Sequence, residues 1–148
     1  MKILGGTSRV SVLALRGALD EKVNNLSAND AAQFSNDLFT ILTVLSSSVG
    51  MRRALTDNAR DAAAKSELIS NLFGKNISAN AQSILATAAS LRWSNPSELA
   101  DAIEQIAVEA ESFVADKNNE LDQVEAQLFN FAQLLTANPE SLIALLQI

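Results

Sequence analysis

The sequence predicts an all-α protein, a six-helix bundle followed by a short extra helix. Only five glycines and two prolines interrupt 148 residues. Alanine and leucine, both strong helix formers, abound, and apolar side chains recur at three- and four-residue spacing instead of alternating.

Residues 1–7 read as a flexible lead-in. Ser8 suits the cap of a first helix reaching about Leu26, with Val12, Leu15, Leu19, Val23 and Leu26 on one stripe. Val10 and Leu13 fall off that stripe, which points to two contact faces, one for the core and one for something else. Ser27, Asn29 and Asp30 form a polar break before a second amphipathic helix carrying Phe34, Leu38, Ile41, Leu42 and Leu45. The serine run 46–48 loosens its end, because serines bond to nearby backbone and weaken helix interiors. A helical turn over 51–55 follows.

Asp61 is a cap for the next helix, which closes at Gly74 with Ala64, Leu68, Ile69 and Leu72 facing inward. Ser78 caps another, whose buried face is Ala81, Ile84, Leu85, Ala88 and Leu91. Its small alanines permit close approach of a neighbour. The best-specified start lies at Asn95, Pro96 and Glu98, which supply a cap, a residue preset for the first helical position and a reciprocal capping-box acid. Leu99, Ala102, Ile103, Ile106, Ala110 and Phe113 carry this long helix toward Lys117, where Asn118 and Asn119 are expected to break it. Asp122 with Glu125 repeats the capping box for a further helix bearing Val124, Leu128, Phe131 and Leu135, and Asn138 with Pro139 opens a last short one.

Composition narrows function. Cysteine and histidine are both absent, which removes thiol nucleophiles, histidine bases, zinc fingers and most transition-metal sites. No metal or cofactor is expected, and an enzyme would have to work with carboxylate, lysine or serine. Eleven basic against seventeen acidic side chains give a net charge of −6, which disfavours nucleic acid as a partner. No apolar run approaches the ~20 residues needed to span a bilayer. Lys2, Ile3 and Leu4 only faintly imitate a signal peptide before Gly5 and Gly6 end the stretch. The expectation is a soluble cytoplasmic chain that meets membranes only through other proteins.

The chain also resembles itself. Displaced by about 90 residues, Leu38, Phe39, Leu45, Ala54 and Leu55 fall on Leu128, Phe129, Leu135, Ala144 and Leu145. Ile41 then meets Phe131, and Val44 meets Leu134. We therefore expect a bundle domain over 1–120, and over 121–148 a last bundle helix with the start of a second repeat that stops early.

Several segments, in order and spacing, carry a family resemblance: MRRALTD at 51–57, KSELISNL at 65–72, RWS at 92–94 leading into 98–106, and LDQVEAQLFNF at 121–131. Together they cover roughly 30–146 and resemble the delta subunit of the F-type ATP synthase in its actinobacterial form. The resemblance implies a non-catalytic stator subunit of the peripheral stalk, on the cytoplasmic face of the cell membrane. Its N-terminal bundle would hold the N-terminal helix of an alpha subunit, and the b-type stalk would be reached mainly through a domain this sequence lacks. Nothing in that work requires a cofactor, nucleic acid or membrane insertion. The groove implied for the alpha helix lies between 8–26 and 96–117, with Leu13, Arg16, Leu19, Ile106, Ala110 and Phe113 as candidate lining.

Other residues have plainer readings. Arg52 and Arg53 could meet an acidic partner, yet basic groups near a helix end also complement its dipole. Trp93 could anchor an interface or close the bundle end. Glu98, Asp101, Glu104, Glu109 and Glu111 read as a solvated face rather than a metal site. Two rivals stay open: a stand-alone helical adaptor for some other amphipathic helix, and a carboxylate enzyme, which would need a deep pocket with two facing acids.

Overall fold

The structure, a computed structural model, describes residues 4–137, apart from the side chains of Leu121, Val124, Leu135, Thr136 and Ala137. It is all-α: α1 (Gly6–Asn24), α2 (Ala28–Ser47), α3 (Val49–Thr56), α4 (Ala62–Phe73), α5 (Ala79–Ser90) and α6 (Pro96–Ala137). The chain divides into two compact units, Met1–Val114 and Ala115–Ile148. The short helix expected at Asn138 and Pro139, and the repeat positions Ala144 and Leu145, lie outside the described residues.

Cap chemistry sets most starts. Ser27, Ser48, Asp61 and Ser78 each accept the backbone N–H three residues on, at the N-termini of α2, α3, α4 and α5. Gly74 ends α4 at φ +52°, ψ −124°, a conformation that side chains with a Cβ avoid.

In the first unit α5 is the hub, packed by α1, α2, α3 and α4. Its Ala81, Ile84, Leu85, Ala88 and Ala89 are all buried, and the alanines let four neighbours come close. Around it lie Leu15, Leu19, Phe34, Leu38, Ile41, Leu45, Ile103 and Ile106, each 1% exposed or less. Full burial of such a side chain contributes about 1.5–3 kcal/mol. The ends of α5 are held by charge. Asp37, buried on α2, accepts the Ser78 N–H at 2.8 Å where α5 begins. Lys65, buried on α4, donates Nζ–H to Ala89 O at 2.7 Å where α5 ends, beside the Trp93 indole, which donates to Ala88 O at 2.8 Å. An anion at the start and a cation at the end both complement the helix dipole.

Four expectations need correction. Ser8 does not cap α1: the helix starts at Gly6 with Gly5 as N-cap, and Leu4 is already buried, so the lead-in belongs partly to the core. On α4, Leu72 is 40% exposed, and the inward positions are Lys65, Ile69 and Phe73, spaced by four. Leu91 caps α5 half-buried instead of lining its core. Asn118 and Asn119 do not break the helix, since α6 runs unbroken through Asp122 and Glu125 over 42 residues. An asparagine costs a helix interior less than ~0.7 kcal/mol, whereas stopping and restarting forfeits hydrogen bonds and a second nucleation.

Among the described residues no helix is long and apolar enough to cross a membrane.

Candidate docking surface

The seating of α1 on α6 rests on one buried carboxylate. Glu98, 7% exposed in the first turn of α6, accepts the Gly5 N–H on Oε1 at 3.0 Å and the Ser8 hydroxyl on Oε2 at 2.5 Å. Ser8 Oγ accepts the Ser94 N–H at 2.8 Å, and Ser11 Oγ donates to Arg92 O at 2.5 Å. The start of α1 is thereby tied to residues 92–98. The bond from Ser8 holds the Glu98 carboxyl below its ordinary range; burial opposes this, and the N–H groups of Gly5 and Asn95 and the Ser94 side chain assist. Glu98 thus serves the capping role expected of it, but it is not part of a solvated acidic face. At Gly5 a Cβ would collide with Ser94 Oγ, so a side chain there would lift α1 off its seat.

The six candidate lining residues separate into two groups. Leu19 and Ile106 are fully buried and Ala110 is 1% exposed, all within the chain's own core. Above them Arg16 Nη2 meets Glu109 Oε1 at 2.6 Å, so an ion pair joins α1 to α6. The seam between these helices is filled by the protein's own side chains, and Leu19, Ile106 and Ala110 are corrected from groove lining to core. Leu13 is 67% exposed, Arg16 is half-exposed, and Phe113 is partly buried at the edge of the core.

What lies open is the outer face of α1. Gly6, Val10, Leu13 and Gly17 follow one another at four, three and four residues and so share that face. Val10 is 69% exposed, and nothing lies within 4 Å of where a Cβ would stand on Gly6 or Gly17. Two apolar side chains flanked by two bare stretches of backbone form a shallow apolar strip with the Arg16–Glu109 pair close to it. Val10 was absent from the candidate set, although its place off the core stripe was visible. Glu109 was missed as the partner of Arg16, because no spacing rule links side chains on different helices.

Elsewhere the plainer readings hold. Arg52 donates to Leu45 O at 2.5 Å and Ser46 O at 3.1 Å, capping the end of α2. Trp93 packs on the core at the end of α5. A shallow open depression beside the α3–α4 loop is lined by Arg53, Asp57, Asn58 and Arg60, with a single acid. Among the described residues no three carboxylates gather into a metal-binding group.

Such an arrangement defines a helical bundle with an external apolar strip. Compared with known proteins, the chain is 36% identical over 145 residues to the ATP synthase subunit delta of Streptomyces coelicolor, covering 98% of this chain and 53% of that protein. It is 37% identical over 134 residues to that of Kineococcus radiotolerans, covering 90% and 48%. It is 35% identical over 145 residues to that of Frankia alni, covering 95% and 52%. No protein-family model matches the chain. The chain belongs to the ATP synthase delta-subunit family. It spans about half the length of the curated relatives it matches.

Proposed function

We propose that the chain acts as a non-catalytic stator subunit of an F-type proton-translocating ATP synthase, carrying load between the catalytic head and the b-type peripheral stalk. It does so on the cytoplasmic face of the membrane, held there by the complex. The observation that carries this reading is the similarity to proteins named ATP synthase subunit delta through nearly the whole chain. The open apolar strip on α1 supplies the contact: the N-terminal helix of an alpha subunit lies along Val10 and Leu13, with the Arg16–Glu109 pair close by. Glycines at both ends of the strip let the foreign backbone approach closely, while the charged pair fixes its direction.

The physical requirements of that work match the bundle. A stator must resist displacement under torque, so it needs a docking helix that does not yield. The Glu98 bonds tie α1 down at its first turn.

Calorimetric titration with a peptide copying the alpha-subunit N-terminus from the same genome tests the proposal. Binding is expected, and Leu13→Asp is expected to weaken it at least tenfold. Absence of heat at high micromolar peptide overturns the reading. Equal binding of an unrelated amphipathic helix would replace it with a general adaptor.

A further inference from the structure

The stretch 52–60 is basic in a chain of net charge −6: it holds Arg52, Arg53 and Arg60 against a single acid, Asp57. The three arginines do different work. Arg52 is committed inside the fold, donating to Leu45 O and Ser46 O at the end of α2, which fixes α3 against that helix. Arg53 follows it on α3, and Arg60 stands in the α3–α4 loop. Both are exposed, and among the described residues neither guanidinium meets a carboxylate or another acceptor. They line one depression of about 650 Å³, open to solvent, together with Asn58 and Pro96. Asp57 does not neutralise them. Its Oδ1 accepts the Ala59 N–H at 3.0 Å, and its charge acts on the buried Lys65 ammonium, which Arg60 repels. The hollow therefore carries surplus positive charge on a wall held in shape, since the Arg60 N–H donates to Asp57 O at 3.1 Å and Asp61 caps α4 immediately after.

We propose that the Arg53–Arg60 depression is a second interaction surface, which docks an acidic segment of a partner protein by pairing its carboxylates with the two free guanidinium groups. Charge complementarity chooses the chemistry of the occupant. A guanidinium presents parallel N–H groups that fit the two oxygens of a carboxylate, and paired arginines recur where acidic motifs are read. Shape chooses a segment over a small molecule: small-ligand sites bury most of their ligand's surface, whereas this hollow is shallow and open. An acidic segment would also offset the repulsion between Arg60 and Lys65. The surface shares no residue with the strip on α1, and the proposal stands whether or not the stator reading does.

The test is fluorescence anisotropy of a labelled oligoglutamate peptide titrated with the protein. The chain's overall negative charge opposes this peptide, so binding must come from a local site. Binding is expected at low ionic strength and should weaken as salt is added. Arg53→Gln/Arg60→Gln is expected to weaken it about tenfold. Lys22→Gln/Lys75→Gln, which removes the same charge elsewhere on the surface, is expected to weaken it less than about twofold. Both variants should keep the wild-type melting temperature, because exposed side chains are exchanged. No binding by wild type overturns the proposal. So do equal losses from the two variants, which would reduce the effect to general attraction. Inorganic phosphate that displaces the peptide at equal concentration would overturn it in favour of a small anion. Dimerisation of the wild-type protein that Arg53→Gln/Arg60→Gln abolishes would overturn it in favour of a second copy of the chain.

Discussion

Glu98 shows how much one side chain can organise. It is a carboxylate with its solvent removed and donors in place of water, so truncation leaves the Gly5 N–H and the Ser8 hydroxyl without their partner. Glu98→Ala should cost about 2–4 kcal/mol in urea unfolding, because charge-assisted bonds are lost and buried donors are orphaned. The pH dependence has a definite sign. Because the folded-state pKa of Glu98 is lowered, the unfolded chain binds its proton first as pH falls. The contribution is complete above the unfolded value of about 4.3 and is lost as pH drops through the lower folded value. Wild type should therefore lose more stability than Glu98→Gln between pH 7 and pH 3, as measured by urea unfolding at both. The glutamate's place in a capping box could be read from Asn95 and Pro96. Its bonds to Gly5 and Ser8 could not, because no local pattern links residues so far apart in sequence. The same reason hid the Arg16–Glu109 pair.

Local cap chemistry made some helix starts legible, since Asp61 and Ser78 cap as expected, but Ser8 does not cap α1 and no helix starts at Asp122. Faces were harder to read. On α4 the apolar pattern favoured Leu72, but Phe73 is buried instead, four residues beyond Ile69 and eight beyond Lys65. A lysine does not advertise itself as inward-facing; this one is inward because Ala89 O offers its ammonium a partner. Burial lowers the Lys65 pKa, opposed by the nearby Asp57 charge and reinforced by Arg60. At the other end of α5, Asp37→Ala would strip the acceptor from the Ser78 N–H, and a loss of about 1–3 kcal/mol is expected in chemical denaturation. Gly74→Ala should cost about 1–3 kcal/mol for a different reason. Its Cβ would sit at an ordinary 3.6 Å from Ser70 O, so the penalty comes from the backbone conformation and not from crowding. Hydrogen exchange in that variant should rise first in α4.

For the molecule as a whole, the six candidate residues pose one question: which apolar side chains serve the fold and which are left over. Sequence cannot separate Leu19 from Leu13 by chemistry, since burial against self and burial against a partner require the same side chain. The difference came from register alone, as Leu19 lies on the stripe with Leu15 and Val23 while Leu13 does not. Substitutions should divide along that line. Ile106→Ala, in the core, should lower stability by about 2–5 kcal/mol. Leu13→Asp, on the open strip, should change stability by less than about 0.5 kcal/mol.

The claim that α1 presents its outer face to a foreign helix is tested most directly by mapping amide chemical shifts of the labelled chain as the alpha-subunit peptide is added. Changes concentrated between Gly6 and Gly17, with smaller ones near Glu109 and Phe113, are the predicted result. Changes centred on the Arg53–Arg60 depression, or none at saturating peptide, would contradict it.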